Sequence, residues 1–177
     1  VGEPAGVRLV RLPYPSTQTV GTYTSQGVNL THSNTWHSAG IDGEGIIVGV
    51  YDFGFTGWAA LQSSGDLPPG TRLVAKDYSA TYSFNPDTAS MRHGAACAEV
   101  VYDMAPGSTI YMYAFYTEVE LANAIADLMA VDGKRVVSMS IGWVNAGPYD
   151  GSGYIGNLIT AAKDDGILWF TSMGNNQ

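Results

Sequence analysis

One cysteine, Cys97, is all the chain has. No intrachain disulfide can therefore staple it, and the redox compartment cannot be read from bridges. Basic residues are scarce as well: eight Lys and Arg against sixteen Asp and Glu leave a formal net charge of −8. Nucleic acids and anionic membranes attract basic surfaces, so neither is expected as a partner. Nor does any apolar run reach the roughly eighteen residues that suggest a membrane-spanning helix. The opening VGEPAGVRLVRLPYPS lacks the charged-then-apolar pattern of an export signal, so the protein is either not exported or starts, as given, after processing. Charged residues total only 14%, which fits a compact secreted protein at least as well as a cytosolic one.

What is present suffices for one domain with a core. Apolar residues make up 45% of the 177, and a chain of this size buries about two-thirds of the surface its unfolded form exposes. Residues 1–24, with three prolines, read as a linker or the tail of a preceding segment. From Ser25 onward the texture changes. IIVGVY (46–51), RLVAK (72–76), TIYMYA (109–114), VVSMSI (136–141) and ILWFTS (167–172) are β-branched or aromatic runs of strand length. Between them lie amphipathic patterns that predict helices over His93–Met104, Glu118–Val131 and Ser152–Asp165, with Gly133 and Gly166 as stop signals. Alternating strands and helices predict a three-layer αβα domain with a mainly parallel sheet and right-handed crossovers. The connections 53–71 and 77–92 are long enough to suggest binding or surface elaboration.

Ligands of open α/β sheets sit beyond the C-terminal strand ends, and several chemistry-bearing residues fall there. Asp52 ends the apolar run IIVGVY; a buried carboxylate there needs a partner, although a turn or cap role is the simpler reading of it alone. His93 opens the helix HGAACAEVV, where Ala95, Ala96 and Ala98 permit close packing on the sheet. By itself it reads as readily as a surface or capping histidine, as His32 and His37 do. Cys97, four residues on, reads as a small core residue, with a Cys–His pair or shared metal the sharper alternative. Ser140-Ile141-Gly142 closes the fourth strand, where glycine lets another backbone approach, or simply marks an edge or bulge. Gly174-Asn175 follows the fifth strand; its amide can donate to an oxyanion, or the pair can be a turn. The glycines of GIDGEG precede a strand where a dinucleotide fingerprint must follow one, and DFG lacks the other kinase motifs.

In this order, Asp52, His93, Ser140-Ile141-Gly142 and Asn175 resemble the subtilisin-like serine proteases. The resemblance runs from about Ser25 to Gln177 and includes a helix over Thr31–Ala39 and the strand entry Ala105–Tyr111. It implies a subtilisin-like αβα fold, incomplete at its C-terminus, and a serine endopeptidase. Asp52 would orient His93, and His93 would act as general base and then general acid. Asn175 would donate to the oxyanion, and Ser140, Ile141, Gly142 and Gly174 would bind substrate backbone and flank the P1 pocket.

The resemblance also identifies an absence. The family's nucleophile sits in a G-T-S-x-[AS] motif on a later helix, well after the oxyanion Asn, and no such motif occurs here. Ser172, three residues before Asn175, is expected to point along the sheet and to be a decoy. The chain is thus expected to be the N-terminal portion of a longer protease, inactive alone, with the remainder of the domain and a peptide or protein substrate as its partners. HGAA replaces the usual HGTH, so the family's second His is missing. No cofactor or metal is implied, and the short path from His93 to Ala105-Pro106 leaves no room for the calcium loop of many bacterial members, although calcium elsewhere in the full protein stays open. Family likeness implies an extracellular or cell-surface location. The alternative is a non-catalytic peptide-binding pseudoprotease.

Overall fold

The computed structural model describes residues 24–79, 89–142 and 150–172. Five strands, β1 (Ile46–Asp52), β2 (Leu73–Asp77), β3 (Thr109–Ala114), β4 (Lys134–Met139) and β5 (Leu168–Thr171), form one all-parallel sheet in the order β2-β3-β1-β4-β5. Every predicted strand is present, with ends displaced by at most two residues. The central strand, β1, has partners on both sides: Asp52 is in register with Ala114, and Tyr51 with both Tyr113 and Met139.

Side-chain alternation gives the sheet two apolar faces. Val48 and Val50 of β1 join Ile110, Met112 and Ala114 under α4 (His93–Met104), whose Ala95, Ala98 and Tyr102 are buried against them. Tyr51, Tyr113, Val137 and Met139 face the other way. There they meet Leu121, Ala124, Ile125 and Leu128 of α5 (Glu118–Met129) and Ala162 of α6 (Gly153–Asp164). This is the three-layer arrangement expected from the sequence. Helix α5 starts on a capping box in which Thr117 and Glu120 satisfy each other's backbone N–H groups. Helix α6 ends where Gly166 (φ 85°) turns left-handed and Ile167 N–H reaches back 3.0 Å to Ala162 O.

Three expectations need correction. The connection 53–71 holds a short helix, α3 (Trp58–Ser64), bounded by Gly57 and Gly65, both left-handed. Its side-chain cap is missing and its seven residues are too few to show a period, so nothing in the pattern marks it. The helix expected over Thr31–Ala39 is two shorter ones, α1 (Gln26–Leu30) and α2 (Ser33–Ser38), broken at His32 with φ 61°. The crossovers, finally, do not share one hand. β2→β3, β3→β4 and β4→β5 all step the same way across the sheet, yet α4 lies on one face and α5 and α6 on the other. The β1→β2 step runs backward with α3 on the α4 face, which gives it the hand of the α5 and α6 connections. Those three obey the right-handed rule only if the α4 connection is left-handed.

Candidate active site

Alternation sets the first residue of the site. Asp52 follows Val48 and Val50 on the α4 side of β1, and only 2% of it is exposed. Its Oδ1 accepts the N–H of Phe53 at 2.8 Å, and its Oδ2 lies 2.6 Å from Nδ1 of His93, the first residue of α4. Burial raises the Asp52 pKa, and the bond and charge of His93 and the N–H groups of Phe53 and Gly54 only partly offset that. With Nδ1 held by the carboxylate, the imidazole presents Nε2 outward on a side chain 55% exposed. Such a ring can accept a proton at Nε2 while the carboxylate stabilises the resulting imidazolium.

A glycine that sequence reasoning passed over makes this contact possible. A Cβ on Gly94 would lie 2.5 Å from Gly54 O and 2.7 Å from Asp52 Cβ. Helix α4 therefore comes down onto the end of β1 only because position 94 has no side chain, and Gly94 N–H donates to Gly54 O at 3.1 Å. Met91 O accepts from Thr56 N at 2.9 Å, fastening the residues before α4 to the same turn. The sequence shows a glycine after the histidine at a helix start, but not the turn at Gly54 that requires it. Ala95 and Ala98 are buried as expected, but Ala96 is not. It lines, with Ala60, Leu61 and Glu99, a groove of about 410 Å³ between α3 and α4.

Cys97 fits its core reading only in part, packing against the α4-side core while staying partly exposed. It is half-buried, with Sγ 3.9 Å from Nδ1 and 4.0 Å from Nε2 of His93. Burial and the Asp52 charge push its thiol pKa up, against a smaller opposing hydrogen bond with Ser140. Ser140 lies in the segment just past β4. There Ile141 packs into the α5–α6 core, while a Cβ on Gly142 would meet nothing within 4 Å. Gly174 and Asn175 lie outside the described residues.

Ser172 N–H donates to Met139 O at 3.0 Å, extending the β4–β5 pairing. Since Trp169 packs on the α5–α6 side, continued alternation turns Ser172 to the α4 face rather than along the sheet. β5 is nonetheless two strands from β1, about 10 Å at the usual strand spacing. Among the described residues no hydrogen bond joins Ser172 to His93.

An acid–base pair at the end of a central parallel strand is one feature; the sequence around it is the other. Residues 43–177 match the model of the subtilase family. The chain belongs to the subtilases. Compared with curated proteins one at a time, it finds no match. Subtilases are serine proteases, so this is a domain of serine-protease type, and both Asp52 and His93 fall within the matched residues. Among the described residues no helix is long and apolar enough to cross a membrane.

Proposed function

We propose that this subtilase is a serine endopeptidase in which Asp52 orients His93 and His93 activates a serine located beyond Gln177. The carrying observation is the 2.6 Å contact between Asp52 Oδ2 and His93 Nδ1. In the acylation step His93 Nε2 takes the hydroxyl proton as the serine oxygen attacks the scissile carbonyl, then returns it to the leaving amine. Water repeats the cycle to release the acyl group. Asn175 donates to the tetrahedral oxyanion, and Ser140 to Gly142, with Gly174, line the substrate backbone.

The exposed face of β5 supports a continuing domain. Leu168 and Phe170, on the α4 side, are 57% and 58% exposed. Apolar side chains side by side in this way are what a further layer of the same domain would cover. Subtilases are often secreted, and we assign this one to the extracellular space or cell surface.

Kinetics on a peptide ester, with the protease extended through the downstream sequence, test the assignment. Asp52→Asn should lower kcat about 10,000-fold by stranding the imidazole in the wrong tautomer. Asn175→Ala should lower it ~100–1,000-fold with little change in KM. An Asn175 effect confined to KM would make that residue a substrate-positioning group. An extended protein that binds peptide but turns nothing over would be the pseudoprotease instead.

A further inference from the structure

The groove between α3 and α4 has no part in that proton relay, yet its lining is regular. Helix α4 contributes Ala95, Ala96 and Glu99, and Arg92 just before it has already turned helical, with φ −83° and ψ −13°. Positions 92, 95, 96 and 99 are one stripe along a helix. Gly57, Ala60 and Leu61 form the facing wall. The stripe is small and apolar along its middle, with opposite charges at its two ends. Among the described residues neither Arg92 nor Glu99 has an ion pair. We propose that this groove binds a tripeptide with free ends and small apolar side chains, its carboxylate on Arg92 and its ammonium on Glu99.

The spacing of the charges sets the length of the occupant. Two helical turns separate Arg92 from Glu99, and at about 1.5 Å per residue that is about 10.5 Å. An extended chain covers roughly 3.3–3.6 Å per residue, so three residues span about 10 Å and two only about 7 Å. The volume, about 410 Å³, falls within the range of small-ligand sites. The α3 wall is fixed at both ends. Thr56 N–H donates to Met91 O at 2.9 Å beside Arg92, and Leu61 O accepts from Asp66 N at 2.8 Å and Leu67 N at 3.1 Å. A wall held in this way spares the ordering cost of binding. Burial, and then the charges of Asp66 and Asp103, raise the pKa of Glu99. An arriving ammonium relieves a carboxylate crowded by others of its own sign. Peptides with two free ends are what an endopeptidase releases. Naming the occupant a product therefore rests on the protease reading, whereas the binding site does not.

The test needs no catalysis, so its failure is separable from failure of the protease reading. Ala-Leu-Ala with free ends is titrated into the 177-residue chain while backbone amide resonances are followed by NMR. We expect saturable shifts at Gly57, Ala60, Ala96 and Glu99. Acetylating the amine or amidating the carboxylate should each weaken binding about tenfold, the worth of one charge-assisted bond. Glu99→Gln should weaken the free peptide by the same factor and leave the acetylated one unaffected; Arg92→Gln should do likewise for the free and amidated peptides. The dipeptide Ala-Leu, too short to meet both charges, should bind several times more weakly than the tripeptide. Should a variant not fold, the modified peptides on the unmutated chain decide alone. Absence of saturable shifts at tens of millimolar peptide overturns the proposal. So do shifts confined to Ser140–Gly142, equal affinity for free, acetylated and amidated peptides, or a dipeptide that binds as well as the tripeptide.

Discussion

At Gly94 a single methyl group decides whether the imidazole of His93 reaches the Asp52 carboxylate. Alanine there would drive Cβ to 2.5 Å from Gly54 O, a backbone atom that cannot swing aside. Overpacking of this kind costs typically 1–3 kcal/mol. Urea denaturation of Gly94→Ala should show a loss in that range, and the hydrogen-bonded Nδ1 proton of His93 should lose its downfield NMR position. An unchanged proton signal would mean that α4 does not depend on this close approach. Asp52 and His93 were legible in the sequence because each sits at an element boundary that apolar patterning reveals. Gly94 was not, because the need for a missing side chain comes from a turn forty residues earlier in the chain. Cys97 was legible as a small residue on the helix face of His93; that this face borders the site as well as the core depended on how α4 lies on the sheet.

The elements were read well where period and length are unambiguous. All five strands and α4, α5 and α6 were legible in β-branched runs and helical spacing. Helix α3 escaped because glycine at both ends leaves no cap signature. The hand of the α4 connection escaped because local sequence does not encode which face a helix crosses. Helix α5 also carries a polar anchor that apolar periodicity overlooks. Asp127 accepts from Tyr113 Oη at 2.7 Å and from Lys76 Nζ at 3.2 Å, joining α5 to β2 and β3. Burial raises its pKa, but the bonds donated by Tyr113, Lys76 and Tyr78 outweigh that and hold the carboxyl below its ordinary value. Its stabilisation is thus complete above the unfolded carboxylate pKa and is lost as pH falls through the lower folded value. Asp127→Ala should cost about 2 kcal/mol at neutral pH, the scale of a charge-assisted bond, as measured in urea. The deficit should shrink under acid as the parent carboxylate takes up its proton. A deficit independent of pH would assign the loss to packing alone.

On the scale of the whole molecule, one sheet face is finished and the other is not. The α5–α6 side closes over Tyr51, Tyr113, Val137 and Met139, whereas on the α4 side β5 leaves Leu168 and Phe170 bare. Phe170→Glu should therefore cut binding of a hydrophobic dye severalfold while changing unfolding free energy by no more than about 0.5 kcal/mol, as for an ordinary surface position. A large loss of stability would show that Phe170 already has a core to support. The unfinished face and the Asp52–His93 pair carry the proposed reading, in which the base is here and its nucleophile is not. The direct measurement is labelling with a serine-directed fluorophosphonate followed by peptide mapping, on the 177-residue chain and on the protein extended through its downstream sequence. The account predicts no label on the shorter chain, and in the longer one a single label on a serine beyond residue 177 that disappears in His93→Ala. Label on Ser172 in the shorter chain would contradict it.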